Sequence, residues 1–82
     1  MKVFLSHRAQ KYLNGASADI KERLQSKISE LLTSPYPPGC KRLKGTPNAY
    51  RIRTGDYRIL YAIVKRDEIV VFKIGPRESV YE

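Results

Sequence analysis

Tyr50-Arg51-Ile52-Arg53-Thr54-Gly55-Asp56-Tyr57-Arg58-Ile59-Leu60-Tyr61-Ala62-Ile63-Val64 is the stretch that decides the fold. Its first four residues alternate apolar and basic side chains, the period of a strand with one buried and one wet face. Gly55-Asp56 supplies the turn, and Tyr57 to Val64 is dense in β-branched and aromatic residues, which suit a strand. So short a turn returns the chain antiparallel to itself. Lys65 to Glu68 turns again, and Ile69 to Ile74 reads as the last strand. On the other side, Lys41 to Lys44 is a short candidate strand broken by Gly45 and Pro47.

Toward the N-terminus the apolar period changes from that of a strand to that of a helix. Lys2 to Leu5 is a short apolar-rich strand, and Ser6 then offers a capping hydroxyl to a helix carrying Ala9, Tyr12, Leu13 and Ala16. Gly15 ends or weakens that helix. Ser17 or Asp19 caps a second one, with Asp19 and Glu22 well placed near its positive end. Ile20, Leu24, Ile28, Leu31 and Leu32 then form one apolar stripe. The loop Ser34-Pro35-Tyr36-Pro37-Pro38-Gly39 stops the second helix. The order β-α-α-β-β-β predicts an α+β fold, two N-terminal helices packed on one face of a twisted antiparallel sheet. A chain of 82 residues makes one domain, 1–82, with no room for a second.

Charge narrows the function. The 16 Lys+Arg against 8 Asp+Glu give a net +8, while 41% hydrophobic residues argue for a folded core. From Lys41 to Arg58, six bases (Lys41, Arg42, Lys44, Arg51, Arg53, Arg58) face Asp56 alone. Ordinary surfaces mix both signs, so this block reads as a field aimed at a polyanion: RNA, DNA or an acidic protein segment. The longest apolar run, Ile59 to Val64, falls far short of the ~18 residues of a membrane span. The apolar residues at the N-terminus are too few for a signal peptide, so a cytoplasmic protein is expected. Cys40 is the only cysteine and His7 the only histidine; an intrachain disulfide is impossible, and neither a metal nor a cofactor is expected.

Parity decides what the second face carries. If Tyr50 and Ile52 face the core, Arg51 and Arg53 leave it together, and Arg58 opens the next strand close to them. Arg77 and Tyr81 follow the last strand and can fold back over the same end of the sheet. Plainer readings exist: outward surface arginines, an ion pair of Arg58 with Asp56 or Glu78, and a Tyr81 ring packed on the sheet. Tyr36, Tyr50, Tyr57 and Tyr61 read as core or rim aromatics.

The runs Lys41-Arg-Leu-Lys-Gly45, Tyr50-Arg-Ile-Arg53, Gly55-Asp-Tyr-Arg-Ile-Leu-Tyr61 and Val71-Phe-Lys-Ile-Gly-Pro-Arg-Glu-Ser-Val-Tyr81 together resemble the RelE/ParE toxin superfamily, nearest its RelE branch. The resemblance covers essentially the whole chain. It implies the toxin of a type II toxin–antitoxin pair, a ribosome-dependent endoribonuclease (mRNA interferase) that cuts mRNA in the A site. The RNA's own 2′-hydroxyl would attack the neighbouring phosphate, so neither a protein nucleophile nor a metal is needed. Arg51 and Arg53 stand at the two alternating basic positions of such toxins, with arginine in place of the lysines often found there. The resemblance implies catalytic roles for Arg53, Arg58, Arg77 and Tyr81: three phosphate-clamping forks and a ring that orients a base or assists 2′-OH deprotonation. It implies RNA binding by Lys41, Arg42, Lys44 and Arg51, and an acidic cognate antitoxin as partner. The alternatives are a ParE-like inhibitor of DNA gyrase without nuclease activity, and a plain basic RNA-binding module.

Overall fold

The computed structural model describes residues 1–76. Strand β1 (Lys2–Leu5) leads into helices α1 (His7–Gly15) and α2 (Ala18–Ser29), followed by a 3-10 turn over Glu30–Leu32. Then come β2 (Lys41–Arg42), β3 (Ala49–Thr54), β4 (Tyr57–Lys65) and β5 (Glu68–Pro76). The strands lie side by side as β1-β5-β4-β3-β2.

The α+β layout expected from the sequence is the one found, with one difference in the sheet. β3, β4 and β5 run antiparallel, as their short turns demand, but β1 pairs parallel to β5 along Lys2↔Glu68 to Leu5↔Val71. No turn links those two strands. The helices and the β2–β3–β4 meander separate them, so turn length never constrained their direction, and the sheet is mixed.

The two serines do the capping work expected of them. Ser6 accepts a hydrogen bond from the Ala9 amide at 3.1 Å, and Ser17, not Asp19, caps α2 by accepting from Ile20. From α2 the stripe Leu24, Ile28 and Leu31 is buried, but Leu32 is 52% exposed. The tighter 3-10 turn over Glu30–Leu32 rotates each residue further than an α-helix does, and Leu32 swings out of phase. The helices cover one sheet face, where Leu13, Leu24, Ile28, Leu31, Ile52, Ile59, Tyr61, Ile69, Val71 and Ile74 form the main core. The opposite, open face holds a smaller apolar patch of Leu43, Ala49 and Leu60, with Phe72 packed against it.

One irregularity shapes that open face. Leu60 lies opposite Lys73, yet the next residue, Tyr61, lies opposite Val71, so β5 carries an extra residue here: a β-bulge. Ser6 fastens it, its hydroxyl donating to the Phe72 carbonyl at 3.2 Å while its amide donates to the Val71 carbonyl at 2.8 Å. One side chain thus serves both a helix cap and a strand bulge. Ser6→Ala should lower stability by about 1–2 kcal/mol, the upper half of the usual N-cap range, with a reduced urea midpoint and unchanged slope. A loss below about 0.3 kcal/mol would show that water replaces both contacts.

Candidate nucleic-acid interface

Cross-strand register assembles the cations. Arg53 lies directly opposite Arg58, a pairing that brings their Cβ atoms to about 5 Å. One row further, Lys41 lies opposite Arg51, Arg51 opposite Leu60, and Leu60 opposite Lys73. Tyr50 and Ile52 pack on the helix side, so Arg51 and Arg53 both take the open face, as parity requires. Arg58 alternates with Tyr57 and Ile59 of the main core and therefore shares that face.

The three arginines differ in environment. Arg53 is exposed, Arg58 is half-buried, and Arg51 is only 5% exposed. Arg51 is thus not the outward surface arginine of the plain reading. Leu43, just past β2, donates its amide to the Ala49 carbonyl at 2.9 Å and packs with Ala49 and Leu60 on the open face, where Leu60 lies opposite Arg51. The Nε atoms of Arg51 and Arg58 are shielded from solvent. Guanidinium groups held away from bulk water act on an anion through a lower effective dielectric than free surface lysines do. Opposite Arg58 stands the buried Gly75, which presents no side chain across the ladder.

The other predicted residues divide. Lys41 joins the open face through its pairing with Arg51. Arg42 pairs with Tyr50 and so turns to the helix side, where its charge acts on Tyr36. Lys44 is exposed in the loop joining β2 to β3, which bounds an open groove lined by residues from Arg42 to Pro47. Arg77 and Tyr81 lie outside the described residues; β5 reaches Pro76, opposite Tyr57, on the strand that carries Arg58. Lys73 is the residue that pattern reading missed. Strict alternation from Val71 turns it toward the helices, and only the bulge reverses that.

On the helix side the tyrosines are structural. Tyr61 is fully buried, its hydroxyl donating to the Pro35 carbonyl at 2.6 Å. Tyr50 stacks on it at 5.8 Å, and Tyr36 meets Tyr50 edge-on at 5.3 Å. Burial, aided by Cys40 beside it, pushes the Tyr61 phenol well above the usual tyrosine range. Burial and the neighbouring Tyr57 likewise raise Tyr12.

Fold and face together define a small α+β protein that presents clustered, partly desolvated arginines on the uncovered side of a mixed sheet. The profile of the ParE toxin of the type II toxin–antitoxin system parDE matches residues 3–81. The mRNA interferase toxin RelE of Escherichia coli is 34% identical over 83 residues, spanning 95% of this chain and 86% of that protein. The isolated E. coli RelE toxin superposes with a TM-score of 0.80 at 28% identity, over 96% of this chain and 86% of that one. RelE in the RelB–RelE antitoxin–toxin complex of Methanococcus jannaschii gives 0.75 at 28% identity, over 93% and 92%. The chain belongs to the RelE/ParE toxin family of type II toxin–antitoxin systems. No helix among the described residues is long and apolar enough to cross a membrane.

Proposed function

We propose that this chain is a cytoplasmic RelE-type toxin, a ribosome-dependent endoribonuclease that cuts mRNA in the A site. The observation that carries this reading is the opposed Arg53–Arg58 pair with Arg51 and Lys41 one row away. Like charges directly opposite each other repel unless an anion or counter-charge lies between them, and a dianionic phosphorane-like transition state is an anion that this pair suits. The 2′-oxygen forms a bond to the adjacent phosphorus, the 5′-oxygen leaves, and the 2′-proton is ultimately balanced by one delivered to that 5′-oxygen. Charge accumulates on the non-bridging oxygens, where the forks of Arg53 and Arg58 meet it bidentately. Arg51 and Lys41 hold the flanking backbone in this reading, and Arg77 and Tyr81, which follow β5 in the sequence, are the remaining members of the set.

Neither arginine nor tyrosine is a good proton carrier at neutral pH, their ordinary pKa values being above 12 and about 10. An enzyme built this way leans on positioning, and the ribosome supplies it by presenting mRNA in a bent, in-line conformation. The cognate partner is an acidic antitoxin segment laid across the cationic face, by analogy with the RelB–RelE complex. Mapping mRNA 5′ ends on translating ribosomes after induction should reveal cuts inside A-site codons, while naked RNA is cut slowly or not at all. The family profile that matches residues 3–81 is named for ParE, and this favours the gyrase inhibitor as the second reading. Growth arrest with intact mRNA and trapped gyrase–DNA complexes would decide for it.

A further inference from the structure

We propose that Lys73 is an additional RNA-backbone contact, brought onto the cationic face by the bulge in β5. The inference rests on the RNA-cleaving reading of that face and extends it to β5. In an unbroken strand, successive side chains alternate between faces. Here Val71 and Ile74 both belong to the helix-side core, although three positions apart they would take opposite faces. The two residues between them therefore share the open face: Phe72 packs on the Leu43–Ala49–Leu60 patch, and Lys73 lies opposite Leu60 in the register.

The result is a row running across four strands. Lys41, Arg51, Leu60 and Lys73 follow one another, with cations on both sides of the buried Leu60. Without the bulge the row would end at Leu60, and the ammonium would be directed among Leu13, Ile28 and their neighbours at a large desolvation cost. Bulges near functional surfaces often re-aim one side chain in this manner. This one is held at two points by Ser6, so Lys73 stands on a fixed support. Its half-buried stem leaves a compact, strongly hydrated charge, suited to a phosphate as a point contact and not as a fork. Lys73 also lies two residues before Gly75 on β5, the residue opposite Arg58 in the register. The ligand it would take there is the phosphate flanking the scissile one.

Binding of a fluorescent 2′-O-methyl oligoribonucleotide, which cannot be cut, is measured by anisotropy over a series of salt concentrations. The proteins compared are the wild type, Lys73→Ala, Lys73→Arg, Arg53→Ala and Lys11→Ala, the last removing an exposed charge on α1, across the sheet. Lys73→Ala and Arg53→Ala should each reduce the slope of log affinity against log salt by about 0.7, one phosphate contact on a single strand. Lys73→Arg should restore it, and Lys11→Ala should leave it at the wild-type value. If Lys73→Ala keeps the wild-type slope while Arg53→Ala loses its share, Lys73 is not a contact and this proposal alone falls. If neither changes the slope, RNA does not bind this face, and the functional reading falls with it.

Discussion

Arg58→Ala is expected to slow mRNA cleavage on ribosomes by about 10²–10³-fold at saturating toxin, the cost of losing one preorganised donor to a transition-state oxyanion. Arg58 is singled out over Arg53 because its surroundings do more with its charge. It is half-buried with a shielded Nε, and faces a glycine across the ladder, whereas Arg53 is exposed. The loss should fall on kcat, with binding to ribosomes much less affected, since the charge on phosphate grows between ground and transition state. Arg58→Lys should recover only part of the rate, because an ammonium keeps the charge and loses the fork. Adding Arg53→Ala to Arg58→Ala should cost less than the product of the single effects if, as proposed, both forks grip one phosphate. Cleavage by Arg58→Ala within threefold of wild type, with folding intact, would remove this residue from the chemistry.

The parts of the fold legible in the sequence are those governed by local periodicity. The alternation of Tyr50 to Arg53, the turn at Gly55-Asp56 and the helical spacing from Ile20 to Leu31 each follow from contacts within a few residues, and each element formed where expected. Gly55 adopts a φ of 59°, a left-handed conformation that glycine enters freely, which is why the turn signal was dependable. What escaped depends on distant chain. The parallel pairing of β1 with β5 is settled by packing across nearly the whole sequence. The exposure of Leu32 comes from a change of helix type in a single turn. The burial of Arg51, 5% exposed on the face that parity turns away from the helices, depends on what packs over that face and not on the alternation of its own strand. The bulge at Phe72–Lys73 has no mark of its own in a run of strand-forming residues, and it is fixed by a serine more than sixty positions away. The candidate site was therefore legible in its arginines, whose parity is local. It was not legible in Lys73, whose face is decided by tertiary structure.

The largest expected loss of stability is at Tyr61. Tyr61→Ala should cost about 3–5 kcal/mol from the vacated ring alone, the usual range for a large aromatic truncated in a core. The domain's whole stability is on the order of 4–12 kcal/mol at the ordinary density per residue, so the variant should be partly unfolded at growth temperature. The ring also supports Tyr50, through which it steadies Tyr36, so the edge of the sheet beside β2 should loosen with it. Tyr61→Phe separates packing from polarity. It keeps the stack and removes only the hydroxyl, leaving the Pro35 carbonyl without its 2.6 Å donor at a cost of about 1–3 kcal/mol. The same pair of variants tests the phenol's titration. Burial raises the Tyr61 pKa in the folded chain above its unfolded value, so the native state holds this proton more tightly. The contribution is fully present at neutral pH and is lost as pH rises past about 10, where the unfolded tyrosine ionises first. Denaturant unfolding followed between neutral pH and the alkaline limit should therefore show a steeper fall for the wild type than for Tyr61→Phe. Parallel curves would mean that the phenol is hydrated and that the Tyr61–Pro35 contact does not hold the proline loop against the sheet.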